Sequence, residues 1–307
     1  MRLHLPLLAG LFLACTAAAP AAAAPVAVYG GHLPGDDPFA LRVGADGRTV
    51  ERLLAHVELE CEDGRLLTLS GESTFGPRGP ATPSDETVFS PERLSKRGVL
   101  RANGIGTAQF GAGPATVTQR LRGTVRRGVA RGTLSATVAL TETATGAKHT
   151  CTSGSLRWEA FSNPGHIYAG MTSDGRPVVL QRSRNNRKVD AFWVSFNAPC
   201  QKEGGFAIGE ELLNFPIASS AFGDTWTYEA TPKISAAYSL RGRVSASRAS
   251  GTFQVQVTVK DDAGAPADTC DSTLLRWSAR STKGAKVKRK KGEIRVGAAA
   301  LGHMGTS

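Results

Sequence analysis

Two cysteine spacings occur twice in this chain, in the same order. A tyrosine precedes a cysteine by 32 residues, and a later cysteine precedes a tryptophan by 7 residues. The first copy has Tyr29, Cys61, Cys151 and Trp158, and the second has Tyr168, Cys200, Cys270 and Trp277. A set of spacings that recurs in order indicates one structural unit encoded twice. We therefore expect two domains of the same fold, each with its own pair of cysteines.

The segments before Cys61 and Cys200 predict that this unit is built from strands. Apolar residues occupy every second position: Leu53, Ala55, Val57 and Leu59 in the first copy, and Phe192, Val194, Phe196 and Ala198 in the second. A period of two is typical of a half-buried strand, whose cysteine then lies on the core side. With 35 glycines and few aromatic residues, the chain is predicted to be all-β, as two tandem antiparallel β-sandwich (jelly-roll-like) domains.

The ends of the chain differ in composition from its middle. Arg2, the apolar run 3–13 and an alanine-rich stretch predict a signal peptide. A lipobox-like sequence ending at Cys15 leaves lipidation of that cysteine as an alternative. The predicted boundaries are signal peptide 1–24, first repeat 25–161, linker 162–166, second repeat 167–280 and basic flexible tail 281–307.

An exported chain reaches an oxidising compartment, which favours disulfides. Of five cysteines, Cys15 belongs to the leader, and two remain in each repeat. We predict the pairs Cys61–Cys151 and Cys200–Cys270, each stabilising by about 4 kcal/mol in the chain-entropy model. With no C-x-x-C motif, we expect neither a metal site nor a cofactor.

The two equivalent strands that end at Cys61 and Cys200 contain the candidate binding residues. His56, Glu58 and Glu60 share the outward face of their strand and are suited to holding a cation or to acid–base chemistry; a solvated polar face is the alternative. Trp193 also points outward, where an aromatic ring can stack on a sugar. Burial against the neighbouring domain or against a loop is the favoured alternative for Trp193, and it also explains the apolar counterpart Leu54.

The end of the chain is strongly basic. From Ser281 onward seven Lys and Arg residues stand against one Glu, in a chain of net charge +11. The densest part contains Lys286, Lys288, Arg289, Lys290 and Lys291. Such a segment attracts anionic envelope polymers, unless it is only a solubilising end. Nucleic acid is not expected as a partner, because the chain is predicted to be exported and has no nucleic-acid-binding motif.

The sequence contains none of the G-x-S-x-G, H-E-x-x-H, P-loop or G-x-G-x-x-G motifs. We therefore expect an exported, non-catalytic, monomeric protein that binds an extracellular glycan or an anionic envelope polymer. A polysaccharide-active enzyme that uses Glu58 or Glu60 is one alternative, and a purely structural envelope protein is another. The first repeat is 20 residues longer than the second, and we predict that this excess, between Gly71 and Val99, is a loop.

Overall fold

A computed structural model describes residues 27–76, 87–90, 92–126, 128–202 and 204–282. Nothing in these ranges is helical, and 71% of the described residues are in strands. The first repeat contains β1 (Ala27–His32), β2 (Pro38–Val43), β3 (Val50–Cys61), β4 (Leu66–Phe75), β5 (Val88–Phe89), β6 (Val99–Phe110), β7 (Gly113–Arg126), β8 (Val129–Thr141), β9 (Lys148–Thr152) and β10 (Leu156–Phe161). The second repeat contains β11 (Ile167–Thr172), β12 (Pro177–Arg182), β13 (Lys188–Pro199), β14 (Gly205–Pro216), β15 (Ala221–Thr231), β16 (Ile234–Val244), β17 (Arg248–Lys260), β18 (Pro266–Asp271) and β19 (Leu275–Arg280).

Each repeat forms one sheet that curves so that its halves pack around an apolar core. The first sheet has the order β10-β1-β2-β3-β4-β5-β6-β7-β8-β9, and β10 also pairs with β8, so the sheet returns to its own beginning. The second follows β14-β13-β12-β11-β19-β17-β16-β15, with β18 on β17. This confirms the prediction of an all-β chain with two β-sandwich-like domains. Most strands that are neighbours in sequence are also neighbours in the sheet.

The recurring residues are part of this scaffold. The disulfides Cys61–Cys151 and Cys200–Cys270 form as predicted, which indicates an oxidising, extracytoplasmic environment. Trp158 is buried against Gly123, where an added Cβ would lie 2.7 Å from the indole. Trp277 lies in the same way 2.8 Å from a Cβ added at Gly242. The glycines recur because the tryptophans leave no room for a side chain.

In each copy, one residue with a left-handed backbone conformation lies between the cysteine and the tryptophan and allows both side chains to point into the core. Perfect alternation over seven residues would place Cys151 and Trp158 on opposite faces of a strand, yet both are buried in the core. The chain breaks between β9 and β10 at Gly154, with φ of 62°. Thr273 has φ of 57° at the corresponding place before β19.

Part of the extra segment in the first repeat is a strand, which corrects the expectation of a loop. Residues 77–86 lie outside the described ranges, but Val88 and Phe89 form β5, parallel to β4 and antiparallel to β6. Phe89 is fully buried and stacks on Phe75, with 4.7 Å between ring centroids. The segment therefore closes the first sheet and fills its core.

The two repeats pack against each other through equivalent faces. A separate apolar cluster contains Val28, Ala40 and Leu54 from the first repeat and their counterparts Ile167, Val179 and Trp193 from the second, together with Ala169 and Ala191. A Cβ added at Gly30 would lie 2.8 Å from side-chain atoms of Ile167 and Val179. Because counterpart meets counterpart, the junction resembles the isologous interface of a two-fold dimer, within one chain.

The described fold ends slightly later than the sequence predicts. Ser281 and Thr282, which we assigned to the tail, are buried. The Val28 amide donates to Thr282 Oγ1 at 2.9 Å, and the Gly165 amide donates to Ser281 Oγ at 2.8 Å. The predicted signal peptide, Cys15 and the basic residues from Lys286 to Lys291 lie outside the described residues. No helix in the described ranges is long and apolar enough to cross a membrane.

Candidate functional site

Trp193 is not an exposed platform for a sugar ring. Trp193 is only 5% exposed and lies in the apolar cluster between the repeats. The ring of His32 stacks on it, with centroids 5.5 Å apart. The strand alternation correctly places Trp193 on the outer face of its own sheet, but the first repeat covers that face. The structure therefore favours the alternative of burial against the neighbouring domain.

His56, Glu58 and Glu60 do not form one solvated face. His56 is completely buried at the junction, whereas Glu58 and Glu60 further along β3 are exposed. The sequence pattern missed this because the second repeat covers only part of the outer face of β3. Ser195, the counterpart of His56, is also fully buried, and its hydroxyl lies 2.9 Å from that of Ser70 across the junction.

A buried acid accompanies His56. Asp37, 6% exposed, reaches over from the loop between β1 and β2 and places Oδ1 3.7 Å from His56 Nε2. Burial, with the negative charges of Glu58 and Asp36, raises the pKa of Asp37 from 3.8 to about 8. Burial, and then the charge of Arg176, lowers the pKa of His56 from 6.5 to about 3. The junction thus favours the neutral form of both groups.

These pKa directions predict how stability depends on pH. A carboxyl whose pKa is higher in the folded state stabilises at low pH, and that stability is lost as pH rises from about 4 towards 8. Asp37→Asn, which cannot ionise, should therefore become more stable relative to the wild type as pH rises through this range. We expect its relative Tm to rise by about 5 °C or more between pH 4.5 and 8.5. Thermal unfolding of both proteins measures this.

The comparison isolates Asp37 because His56 is present in both proteins. The lowered pKa of His56 costs stability as pH falls below 6.5, and this effect cancels in the difference. Asp262→Asn, on a residue of the second repeat whose side chain is 93% exposed, is the matched control and should show no such trend. A difference between Asp37→Asn and the wild type that stays flat with pH would contradict the neutral carboxyl.

Glu58 and Glu60 line an acidic groove. The groove has a volume of about 710 Å³, and Asp37 and Glu62 also line it. Glu58 and Glu60 lie on one strand, so they do not face each other across the groove as the two carboxylates of a glycosidase do. Among the described residues, no group of three or more His, Cys, Asp or Glu side chains is placed to hold a metal ion.

The larger groove is lined by arginines that the sequence analysis did not single out as a group. It has a volume of about 1090 Å³ and lies on the outer face of the first repeat, beside the junction. Its arginines are Arg101 on β6, Arg122 on β7, Arg131 on β8 and Arg157 on β10. Glu159 is the only carboxylate among its described lining residues. Phe161, 43% exposed, adds an apolar surface.

Strand register places three of these arginines in one row. Arg101 pairs with Arg122, Arg122 with Thr133, and Thr133 with Arg157. Four strands at about 4.8 Å spacing make this row about 14 Å long. Alternation alone shows that Arg122 and Arg157 point outward, but only the pairing of β6, β7, β8 and β10 brings them together with Arg101.

The electrostatics of this row are unfavourable without a partner. Arg101 and Arg122 are like charges directly opposite each other, an arrangement that destabilises a sheet. Within the described parts of the chain, no carboxylate forms an ion pair with any of the four arginines. Exposed guanidinium groups in a groove are suited to carboxylate, sulfate or phosphate, which they can bind through two parallel hydrogen bonds.

Comparison of the chain with protein-family models, with curated proteins and with solved structures finds no match.

Proposed function

We propose that this protein is an extracytoplasmic binding protein for an anionic polymer, a polysaccharide with charged groups or a phosphate-bearing envelope polymer. The observation that carries this proposal is the row of arginines, without an ion-pair partner among the described residues, in a groove of about 1090 Å³. An extended polymer with regularly spaced charges would follow the row across β6, β7, β8 and β10. The exposed ring of Phe161 would contact the apolar face of a sugar unit.

The second repeat retains part of the arrangement. Arg122 and Arg157 have counterparts in Arg241 and Arg276, which are also exposed and joined through Thr252. The outer face of the second repeat therefore offers a further cationic contact for a long polymer. The counterpart of Arg101 is Gly223, which pairs with Arg241, so the row of three arginines is specific to the first repeat.

The test removes two charges from the row. Arg122→Ser with Arg157→Ser should weaken binding of the full-length protein to soluble polygalacturonate or dextran sulfate at least tenfold, about 1.4 kcal/mol. The loss should shrink as salt rises, because exposed charges are screened. Isothermal titration at two salt concentrations, with neutral dextran as the blank, measures both effects.

The matched control removes the same charge elsewhere. Arg184→Ser with Arg187→Ser changes two exposed arginines in the turn between β12 and β13, and should reduce affinity less than threefold. Equal losses for the two double variants would mean that net charge alone drives binding, and would overturn the proposal. So would the absence of binding to every polyanion by the wild type.

A further inference from the structure

The arginine groove changes in chemistry where it approaches the second repeat. Its arginines lie on β6, β7, β8 and β10, and the next strand of the sheet is β1, which packs beside the second repeat. On that side the groove is lined by His32, Glu159 and Phe161 of the first repeat and by Gln181 and Trp193 of the second. These five residues, here named the junction end, provide one carboxylate, one amide and three rings.

The charge of the groove changes sign at Glu159. This residue follows Arg157 by two positions on the same face of β10, about 7 Å away. It lies directly opposite Arg131 on β8 and His32 on β1. Its carboxylate nevertheless forms no ion pair or hydrogen bond within the described parts of the chain. Glu159 can therefore accept hydrogen bonds from a ligand, and it repels an anionic group placed beside it.

The arginines themselves are not evenly spaced. Arg101 and Arg122 are opposite each other on neighbouring strands, whereas Thr133 separates Arg122 from Arg157. Two strand spacings make that separation about 10 Å. Across the sheet the groove thus presents a cationic position, an uncharged position, a second cationic position and then the junction end. This order suits a ligand whose negative charges are separated by uncharged units.

The other groups of the junction end are suited to an uncharged sugar. The side-chain amide of Gln181, on β12, forms no hydrogen bond with the described residues. An amide and a carboxylate can both bind sugar hydroxyl groups, and the ring of Phe161, 43% exposed, can pack against the apolar face of a sugar. Phe161 and Gln181 belong to different repeats, so the junction end exists only because the repeats pack together.

We infer that the junction end is a subsite for an uncharged sugar unit, from which Glu159 excludes a second anionic unit. The ligand is then a polysaccharide in which charged and uncharged sugars alternate, rather than one with a charge on every sugar. The arginines bind the charged units, so this inference rests on the proposed function. A repulsive group within a site is one way in which a protein rejects a related ligand.

Titration calorimetry of the full-length protein with two uronate oligosaccharides of equal length tests the charge spacing. Polygalacturonate has a carboxylate on every sugar, and hyaluronate has one on every second sugar. The wild type should bind the hyaluronate fragment at least threefold more tightly, although that fragment carries half the charge. Equal affinities, or tighter binding of the polygalacturonate fragment, would overturn the inference.

Glu159→Gln keeps a side-chain oxygen that accepts hydrogen bonds but removes the charge. It should raise affinity for the polygalacturonate fragment at least fivefold and change affinity for the hyaluronate fragment less than twofold. Glu62→Gln, which removes one charge from an exposed residue of the acidic groove, is the matched control and should leave the ratio of the two affinities unchanged. If Glu159→Gln raises both affinities equally, Glu159 does not discriminate between the two ligands.

Gln181→Ala tests the share of the second repeat in the subsite. It should weaken binding of the hyaluronate fragment at least threefold, whereas Gln256→Ala, on an exposed residue of β17, should have no effect. Equal results for these two variants would contradict the subsite.

The outcomes separate the two proposals. If the wild type binds neither fragment, the proposed function fails and this inference fails with it. If Arg122→Ser with Arg157→Ser weakens binding of both fragments but Glu159→Gln leaves their affinity ratio unchanged, the arginine groove stands and the uncharged-sugar subsite alone is refuted.

Discussion

Removing the first disulfide should cost this protein about 4–5 kcal/mol of unfolding free energy. Cys61 and Cys151 are 90 residues apart, and a closed loop of that length restricts the unfolded chain strongly. The double variant Cys61→Ser with Cys151→Ser avoids a free thiol. Denaturant unfolding of the variant and of the wild type measures the difference.

The second disulfide is the matched comparison. Cys200 and Cys270 are 70 residues apart, so the corresponding double variant should lose slightly less, by a few tenths of a kcal/mol. If the transitions of the two repeats separate, each variant should lower the midpoint of its own repeat first. A loss of unfolding free energy below about 1 kcal/mol for either pair would contradict the stabilising role of that disulfide.

The second large effect is expected at the junction between the repeats. Trp193→Ala should destabilise the protein by about 3–5 kcal/mol, because it removes the largest side chain of the apolar cluster that joins them. It should also uncouple the repeats, so that a single unfolding transition becomes two. Calorimetry detects both the lower Tm and the separation of the transitions.

A second junction variant and an exposed control variant are compared with Trp193→Ala. Leu54→Ala removes the counterpart of Trp193 in the first repeat and should cost about 2–5 kcal/mol in the same way. Tyr228→Ala removes an aromatic ring that is 54% exposed, and should cost about 1 kcal/mol or less. A Trp193→Ala protein as stable as Tyr228→Ala would mean that the two repeats do not pack as described.

The duplicated spacings were sufficient to predict much of the scaffold. Local alternation before Cys61 and Cys200 predicted the core strands, and the recurrence of the cysteines predicted their pairing within repeats. The strands could be predicted because alternation is a local pattern, and the cysteine pairing could be predicted because the spacings occur twice. The break at Gly154 and Thr273 has only a weak local signal, because threonine rarely adopts a positive φ.

The candidate site could not be predicted in the same way. Whether Trp193 and His56 meet solvent depends on the packing of one repeat against the other, which alternation within a strand does not contain. The row of Arg101, Arg122 and Arg157 depends on pairing between strands far apart in sequence. Those arginines appear singly in the chain, each as an ordinary outward residue of its own strand.

Nuclear magnetic resonance of the arginine side chains tests the central claim most directly. The full-length protein is titrated with a short, size-defined uronate or sulfated oligosaccharide, and the guanidinium Nε–Hε signals are followed. We predict that Arg101, Arg122, Arg131 and Arg157 shift first and together, with a common Kd, while Arg184 and Arg187 do not move. Shifts confined to the basic tail, or spread equally over all exposed arginines, would contradict a binding groove on the first repeat.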